Sequence, residues 1–366
     1  MEFTIDQSRF LGALNLAQTV ADRRSTMPVL ANVLLRADDD GLVCCATDMM
    51  ISLTEKVPAQ VAKTGSLSIG VRHLHGVVKT LPGGDLTVTS LDNHWARIVA
   101  SRTEFRLMGM PQADFPELPD PKDLEFVSVP AHVVSDLVQK TLFSVSTDEA
   151  RVNLNGALLE SDGTTATMVS TDGHRLTKVS LPLAGPKFDS GGIIVPRKGM
   201  IELRRVLDRV DGDVGISVGD QHLFLKADDL LLSVKLSSVS FPPYQQVIPK
   251  EHQRAVHVAR GELLAALRRA EVMAPEKTAT VRLELETGNL RLTADNPDLG
   301  VANQELPVNY EGETLVAGFN ARYLIEAVEA VDGEDVVMQF QGELDPCVIR
   351  PAEGPEFQAV VMPMRI

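Results

Sequence analysis

The chain has 366 residues, 44% apolar and 23% charged, with 35 basic against 50 acidic side chains and a net charge of −15. That length predicts two or three cores, and one Trp and three Tyr make them aliphatic. The acidic balance excludes nucleic acid bound over the whole surface, though a local basic lining can coexist with an acidic exterior.

A short strand, Glu2–Ile5, opens the chain, and Phe10, Leu11, Leu14, Ala17 and Val20 then recur at helical steps. The same frame returns as Val133, Val134 and Leu137 after a strand at Glu125–Val129. It returns again as Leu263, Leu264 and Leu267 after Ala255–Val258. Pro130 suits the first turn of the second of these helices, where no N–H is needed.

Each helix leads into a predicted hairpin. Val29–Arg36 turns into Leu42–Ala46, Leu154–Glu160 into Thr165–Ser170, and Val281–Glu286 into Leu290–Ala294. A second helix follows in each copy, on Leu74, Val77 and Leu81, then Met200, Leu203 and Leu207, then Leu324, Ala327 and Val331. These stop at Gly83-Gly84-Asp85, Asp211-Gly212-Asp213 and Asp332-Gly333-Glu334, where glycine accepts the left-handed backbone.

Ala46-Thr47-Asp48, Ser170-Thr171-Asp172 and Thr293-Ala294-Asp295 mark one further shared position, with Asp48 and Asp295 lying 124 and 123 residues from Asp172. The chain therefore reads as an α+β fold of three tandem units, with boundaries at 1–121, 122–251 and 252–366. The exposed linkers Pro119-Asp120-Pro121-Lys122 and Pro249-Lys250-Glu251-His252 separate them. Three such units form an arc, and head-to-tail pairing of two arcs closes a ring.

Fifteen of the 35 basic residues, among them Arg24, Arg72, Arg197, Lys198 and Arg322, fall in the helix-bearing segments. A basic lining without interleaved aromatics suits sequence-blind contact with duplex phosphates and not the stacking grip on single strands.

Only the middle marker carries an extension, Gly173-His174-Arg175-Leu176. One reading is catalytic, with Ser170, Asp172 and His174 as a hydrolase triad; no nucleophile elbow frames it. A second is a repeat scaffold that binds peptides without encircling DNA. Cys44, Cys45 and Cys347 are expected as buried thiols, since two are adjacent, the count is odd and no metal-ligand spacing surrounds them. No P-loop, metal or cofactor site is expected. Met1-Glu2-Phe3-Thr4 has no leader character and no apolar run nears the ~20 residues of a membrane span, so a cytoplasmic protein without a membrane partner is expected.

Leu154-Asn155-Gly156, Ser170–Leu176, Val195-Pro196-Arg197-Lys198-Gly199 and the terminal Val361-Met362-Pro363-Met364-Arg365-Ile366 resemble the bacterial DNA polymerase III β subunit family of DNA sliding clamps, over the whole chain. The resemblance implies a head-to-tail homodimeric ring of six pseudo-equivalent clamp domains, with twelve helices around duplex DNA. It implies a non-catalytic processivity role in DNA replication, with the replicative polymerase α subunit, the clamp loader and other clamp-motif proteins as partners. It maps a peptide groove onto Leu154, Thr171, Gly173, His174, Arg175, Leu176, Pro242, Val247, Asn320, Tyr323, Val360, Val361, Met362, Pro363, Met364 and Arg365. There Leu, Val, Met and Pro would form an apolar slot, and Arg175, His174 and Asn320 would hold polar groups of the peptide.

The resemblance also maps DNA contacts onto Arg24, Arg72, Arg197 and Lys198. The dimer seam falls on Phe105 and Leu107 facing Val272 and Met273, with Arg97, Arg102 and Arg106 nearby. Three stretches depart from the family pattern. Asp148–Asn153 lacks the tyrosines of some members, Gln246 stands where arginine is common, and Pro243 replaces an acid. Asp298-Leu299-Gly300-Val301 is less acidic than in some relatives, which predicts a dimer only weakly sensitive to salt.

Overall fold

Asp6 starts the first helix: its carboxylate accepts the backbone N–H groups of Ser8 and Arg9 at 3.0 and 3.1 Å, filling donors that a helix leaves open. The computed structural model describes residues 1–188, 191–219, 221–354 and 356–365. Its helices are α1 (Gln7–Val20), α2 (Val71–Thr80), α3 (Ala131–Leu142), α4 (Arg197–Leu207), α5 (Arg260–Met273) and α6 (Ala321–Glu329). α1 buries Phe10, Ala13, Leu14 and Ala17, and α5 buries Leu263, Ala266, Leu267 and Ala270 in the same frame.

The repeat extends to single hydrogen bonds. The first N–H of α1, α3 and α5 goes to Gly84, Gly212 and Glu334 at 2.9, 2.9 and 2.7 Å. Gly84, Gly212 and Gly333 all have positive φ, where a side chain would be strained.

By contact the chain divides into two compact units, Met1–Ala131 with Ile201–Leu236 and His132–Met200 with Ser237–Ile366. The division cuts through the central repeat because strand pairing joins neighbouring repeats inside each unit. In the first unit a thirteen-strand sheet sets Ile51–Val57 against Leu230–Lys235, with Ile51 opposite Val234 and Leu53 opposite Leu232. The second unit holds an eight-strand and a four-strand sheet. In the larger, Arg175–Pro182 lies against Glu356–Val361, with Arg175 opposite Val361 and Thr177 opposite Ala359.

Two eight-residue strands are among those with an edge left unpaired. Thr103–Met110 pairs along one side with Trp95–Ala100 but meets another strand on the other side only at Gly109 and Met110. Gly300–Pro307 ends the four-strand sheet.

The predicted elements shift in four places. Pro130 closes the strand Val127–Pro130, opposite Asp213, instead of opening α3. Val29–Ala31 belong to a 3-10 turn, Pro28–Ala31, ahead of the strand Asn32–Asp38. Leu154 and Asn155 precede the strand Gly156–Ser161, since Leu154 donates to Arg151 O in a turn. The third marker is Asn296, not Asp295: Asn296 Oδ1 accepts from Asp298 N, as Asp48 does from Met50 and Asp172 from His174. Ala46, Ser170 and Ala294, two residues before each, are fully buried. Cys44, Cys45 and Cys347 are buried and free, and burial pushes all three thiols up.

Candidate functional site

The loop between strands Thr165–Thr171 and Arg175–Pro182 is held by its own polar atoms. Asp172 Oδ1 accepts from His174 N and Arg175 N at 2.9 and 3.1 Å, and Thr171 Oγ1 donates to Arg175 O at 2.6 Å. Gly173 has φ +88°, and a Cβ there would lie 3.2 Å from the Arg151 guanidinium. The left-handed backbone favours glycine there.

Arg175 is 10% exposed and each of its three guanidinium nitrogens has a partner. Nε donates to Asp172 Oδ2 at 3.1 Å, one terminal nitrogen donates to Glu326 Oε2 and the other to Phe143 O. The group also lies over the Phe143 and Tyr323 rings, at 5.3 and 4.4 Å from their centroids. Asn320 is equally occupied: Oδ1 caps α6 through Arg322 N and Tyr323 N, and Nδ2 donates to Thr278 O. Arg175 and Asn320 thus brace the wall from within, and His174 is an exposed polar side chain of the loop.

The chain's end is stitched to this wall. Leu176 pairs with Val360, Met362 N donates to His174 O at 2.9 Å, and Met364 N donates to Gly318 O at 2.8 Å. Pro363, without an N–H, stands where pairing passes from one sheet to the other. Ile366 lies outside the described residues.

Beneath runs an apolar floor of Leu158, Val169, Leu176, Ile194, Tyr244, Val348 and Val360, with Val239, Phe241 and Ile248 packed against it. Val361 is buried beside it. Tyr244 donates its hydroxyl to Glu160 at 2.7 Å; burial and then that carboxylate push its phenol up to about 12. Val247 and Met362 stay 43% and 37% exposed, and two apolar side chains left in water above an apolar floor have the form of a binding lip. Leu154, Thr171, Pro242, Tyr323, Pro363 and Met364 are half-buried, and Gly173 and Arg365 exposed. No sequence signal singled out Leu158, Val169, Ile194 and Val348.

The catalytic alternative fails on this geometry. Ser170 is fully buried and its hydroxyl donates to Thr141 O at 2.6 Å, while Asp172 is consumed by its own loop and by Arg175.

Among the basic residues, helix register separates Arg197 from the rest. It is the first residue of α4, matching buried Val71 of α2 and Ala321 of α6. It lines a cleft of about 480 Å³ with Phe143, Arg151, Arg175 and Tyr323, and its Nε is buried without a hydrogen-bond partner. One position on, Arg72, Lys198 and Arg322 are exposed and equivalent; Arg322, which pairs with Glu271 at 3.0 Å, was not among the mapped contacts, and helix register sets it beside the other two. Arg24 is exposed too.

On the proposed seam, Phe105 and Leu107 are half-buried next to exposed Met108, and Val272 is 74% exposed beside half-buried Met273. Arg97 and Arg106 both pair with Glu104, at 2.9 and 3.0 Å. No helix among the described residues is long and apolar enough to cross a membrane.

Models of the DNA polymerase III beta subunit match the chain in three segments: the N-terminal domain over residues 1–119, the central domain over 128–243 and the C-terminal domain over 245–365. The beta sliding clamp of Pseudomonas aeruginosa is 34% identical over 368 residues, covering all of both chains. A crystal structure of the DNA polymerase III subunit beta from that organism has a TM-score of 0.94 at 33% identity, again over all of both chains. The DNA polymerase sliding clamp of Bacillus subtilis has a TM-score of 0.95 at 25% identity, covering 100% of this chain and 99% of that one.

Proposed function

The chain belongs to the DNA polymerase III beta-subunit family, and on that premise we propose that it is a DNA sliding clamp, a non-catalytic ring of two copies that encircles duplex DNA. The observation that carries this reading is the threefold repeat, which binds neighbour to neighbour by strand pairing within the chain and leaves most of one long strand's edge unpaired in the first repeat and that of another in the third. Two copies close head to tail on those edges. An open apolar edge is otherwise an aggregation hazard.

The domains run 1–121, 122–251 and 252–366. Exposed Arg24, Arg72, Lys198 and Arg322 make loose phosphate contacts, strong enough to centre the duplex and weak enough to let it slide. The groove over Leu176, Val360 and Val361, with Val247 and Met362 at its lip, takes leucine and phenylalanine anchors of partner peptides. Its partners are the polymerase α subunit, the clamp loader and other clamp-motif proteins. The ring holds by topology, so each bound peptide acts at high effective concentration beside DNA. The protein works in the cytoplasm.

The test is retention. Loaded protein should remain on circular DNA and be lost within seconds to minutes from the same DNA linearised; equal loss from both would overturn the reading. With Arg97 and Arg106 both paired to Glu104 and a single acid in Asp298-Leu299-Gly300-Val301, the dimer should dissociate little more at moderate than at low salt in sedimentation. Strong dissociation over that range would show an ionic seam.

A further inference from the structure

Arg197 does not share the exposure of Arg72, Lys198 and Arg322. Its guanidinium makes no hydrogen bond or ion pair among the described residues, and its Nε is buried without an acceptor, a costly state for a charged donor. The other ions of its cleft already have partners. Arg175 serves Asp172, Glu326 and Phe143 O, and Asp172 Oδ1 takes two N–H groups of its own loop. Arg151 donates to Asp172 O at 3.1 Å and lies 3.5 Å from Asp148.

The fold does not need cations at these places. Counting back 124 residues, Arg151, His174 and Arg175 fall on Met27, Met50 and Ile51. Arg197, which opens α4, falls on Val71, which opens α2. The first repeat therefore folds with four apolar side chains where the second sets three arginines and a histidine. A substitution at all four positions together points to something the second repeat receives.

The cleft adjoins the lip of the groove. Met362 N donates to His174 O at 2.9 Å, and His174 and Tyr323 line the cleft with Arg197. Resting on the peptide groove proposed above, we propose that the cleft receives an acidic side chain of the same partner peptide, placed outside its leucine and phenylalanine anchors. Arg197 meets the carboxylate through the edge that carries Nε, the geometry in which a guanidinium gives two parallel hydrogen bonds. Arg151 closes from the loop; its pairing with Asp148 is loose and exposed, and an incoming carboxylate displaces it at little cost. Duplex phosphate fits this cleft less well. Asp148, Asp172 and Glu326 share the lining, and they oppose a polyanion bringing one charge per ~1.7 Å of axis, whereas a single carboxylate is matched by Arg197. The cleft thus ranks partners that carry the same anchors.

The test uses dye-labelled, C-terminally amidated peptides with identical leucine and phenylalanine anchors, each carrying a single Glu, or Gln in its place, at successive positions before or after them. In fluorescence anisotropy with the full chain, Glu should bind about tenfold tighter than Gln at one position and no tighter at the others. Arg197→Gln should abolish that preference by weakening the Glu peptide alone, and Arg151→Gln should reduce it by a smaller factor. Denaturation midpoints like that of the wild type show both variants folded. Glu no tighter than Gln at every position, or a preference that survives Arg197→Gln, overturns the inference, while binding of the Gln peptides keeps the groove reading. A wild type that binds none of the peptides removes both. Arg197→Gln that leaves every peptide unaffected and shortens retention on circular DNA assigns Arg197 to phosphate and also overturns it.

Discussion

Replacing Arg175 with Met is expected to destabilise the second unit by about 3 kcal/mol, the lower end of the loss when one partner of a buried ion pair is removed. Met keeps the stem and deletes the fork, leaving Asp172 Oδ2, Glu326 Oε2 and Phe143 O without the guanidinium donor and the Phe143 and Tyr323 rings without their cation. The lower end applies because Glu326 is partly exposed and water takes over part of its demand. Chemical denaturation measures this. Because the same guanidinium holds the His174 loop, affinity for a groove peptide should fall at least tenfold in fluorescence anisotropy. Arg175→Lys should rescue little, since a point charge cannot serve three acceptors in different directions. Unchanged stability in Arg175→Met would show the network to be incidental.

The double variant Val247→Asp, Met362→Asp should lose peptide affinity by about a hundredfold, roughly tenfold for each carboxylate placed at the mouth of an apolar slot. Both side chains are more than a third exposed, so the fold has little to lose. Retention on circular DNA should stay as in the wild type. A variant that still binds a peptide with leucine and phenylalanine anchors would place the binding site elsewhere. One that binds neither peptide nor DNA would point to a folding defect, which its denaturation midpoint would reveal.

The repeat was legible because it is written in local signals: helical spacing at Phe10 and Leu14, glycine at helix ends, and an Asx residue in a turn. Those depend on backbone geometry within a few residues, and they led to three domains, six helices and antiparallel strands. Where the reading slipped, by one residue at Asn296 or at Pro130, the pairing partner across the sheet set the register, and a partner distant in the chain leaves no local mark.

The groove divides along the same line. Its proposed wall residues lie in contiguous motifs, Ser170–Leu176 and Val361–Arg365, and were mapped from the resemblance that those motifs carry. Its floor is assembled from Leu158, Ile194, Tyr244 and Val348, residues that look like ordinary core until the chain brings them together. Roles differed more than positions did. Arg175 and Asn320 were expected as polar contacts for a peptide, and hydrogen bonds to Glu326, Phe143 and Thr278 give them a bracing role inside the wall as well.

By itself the sequence determined the number of units, their order and the class of fold, because propensity and periodicity are properties of short segments. Only the tertiary structure decided which polar groups are spent internally, which strand edges stay open, and that Arg197 faces a cleft while Lys198 lies exposed. Burial and hydrogen-bond satisfaction depend on neighbours that the chain supplies from more than a hundred residues away, as Glu326 does for Arg175.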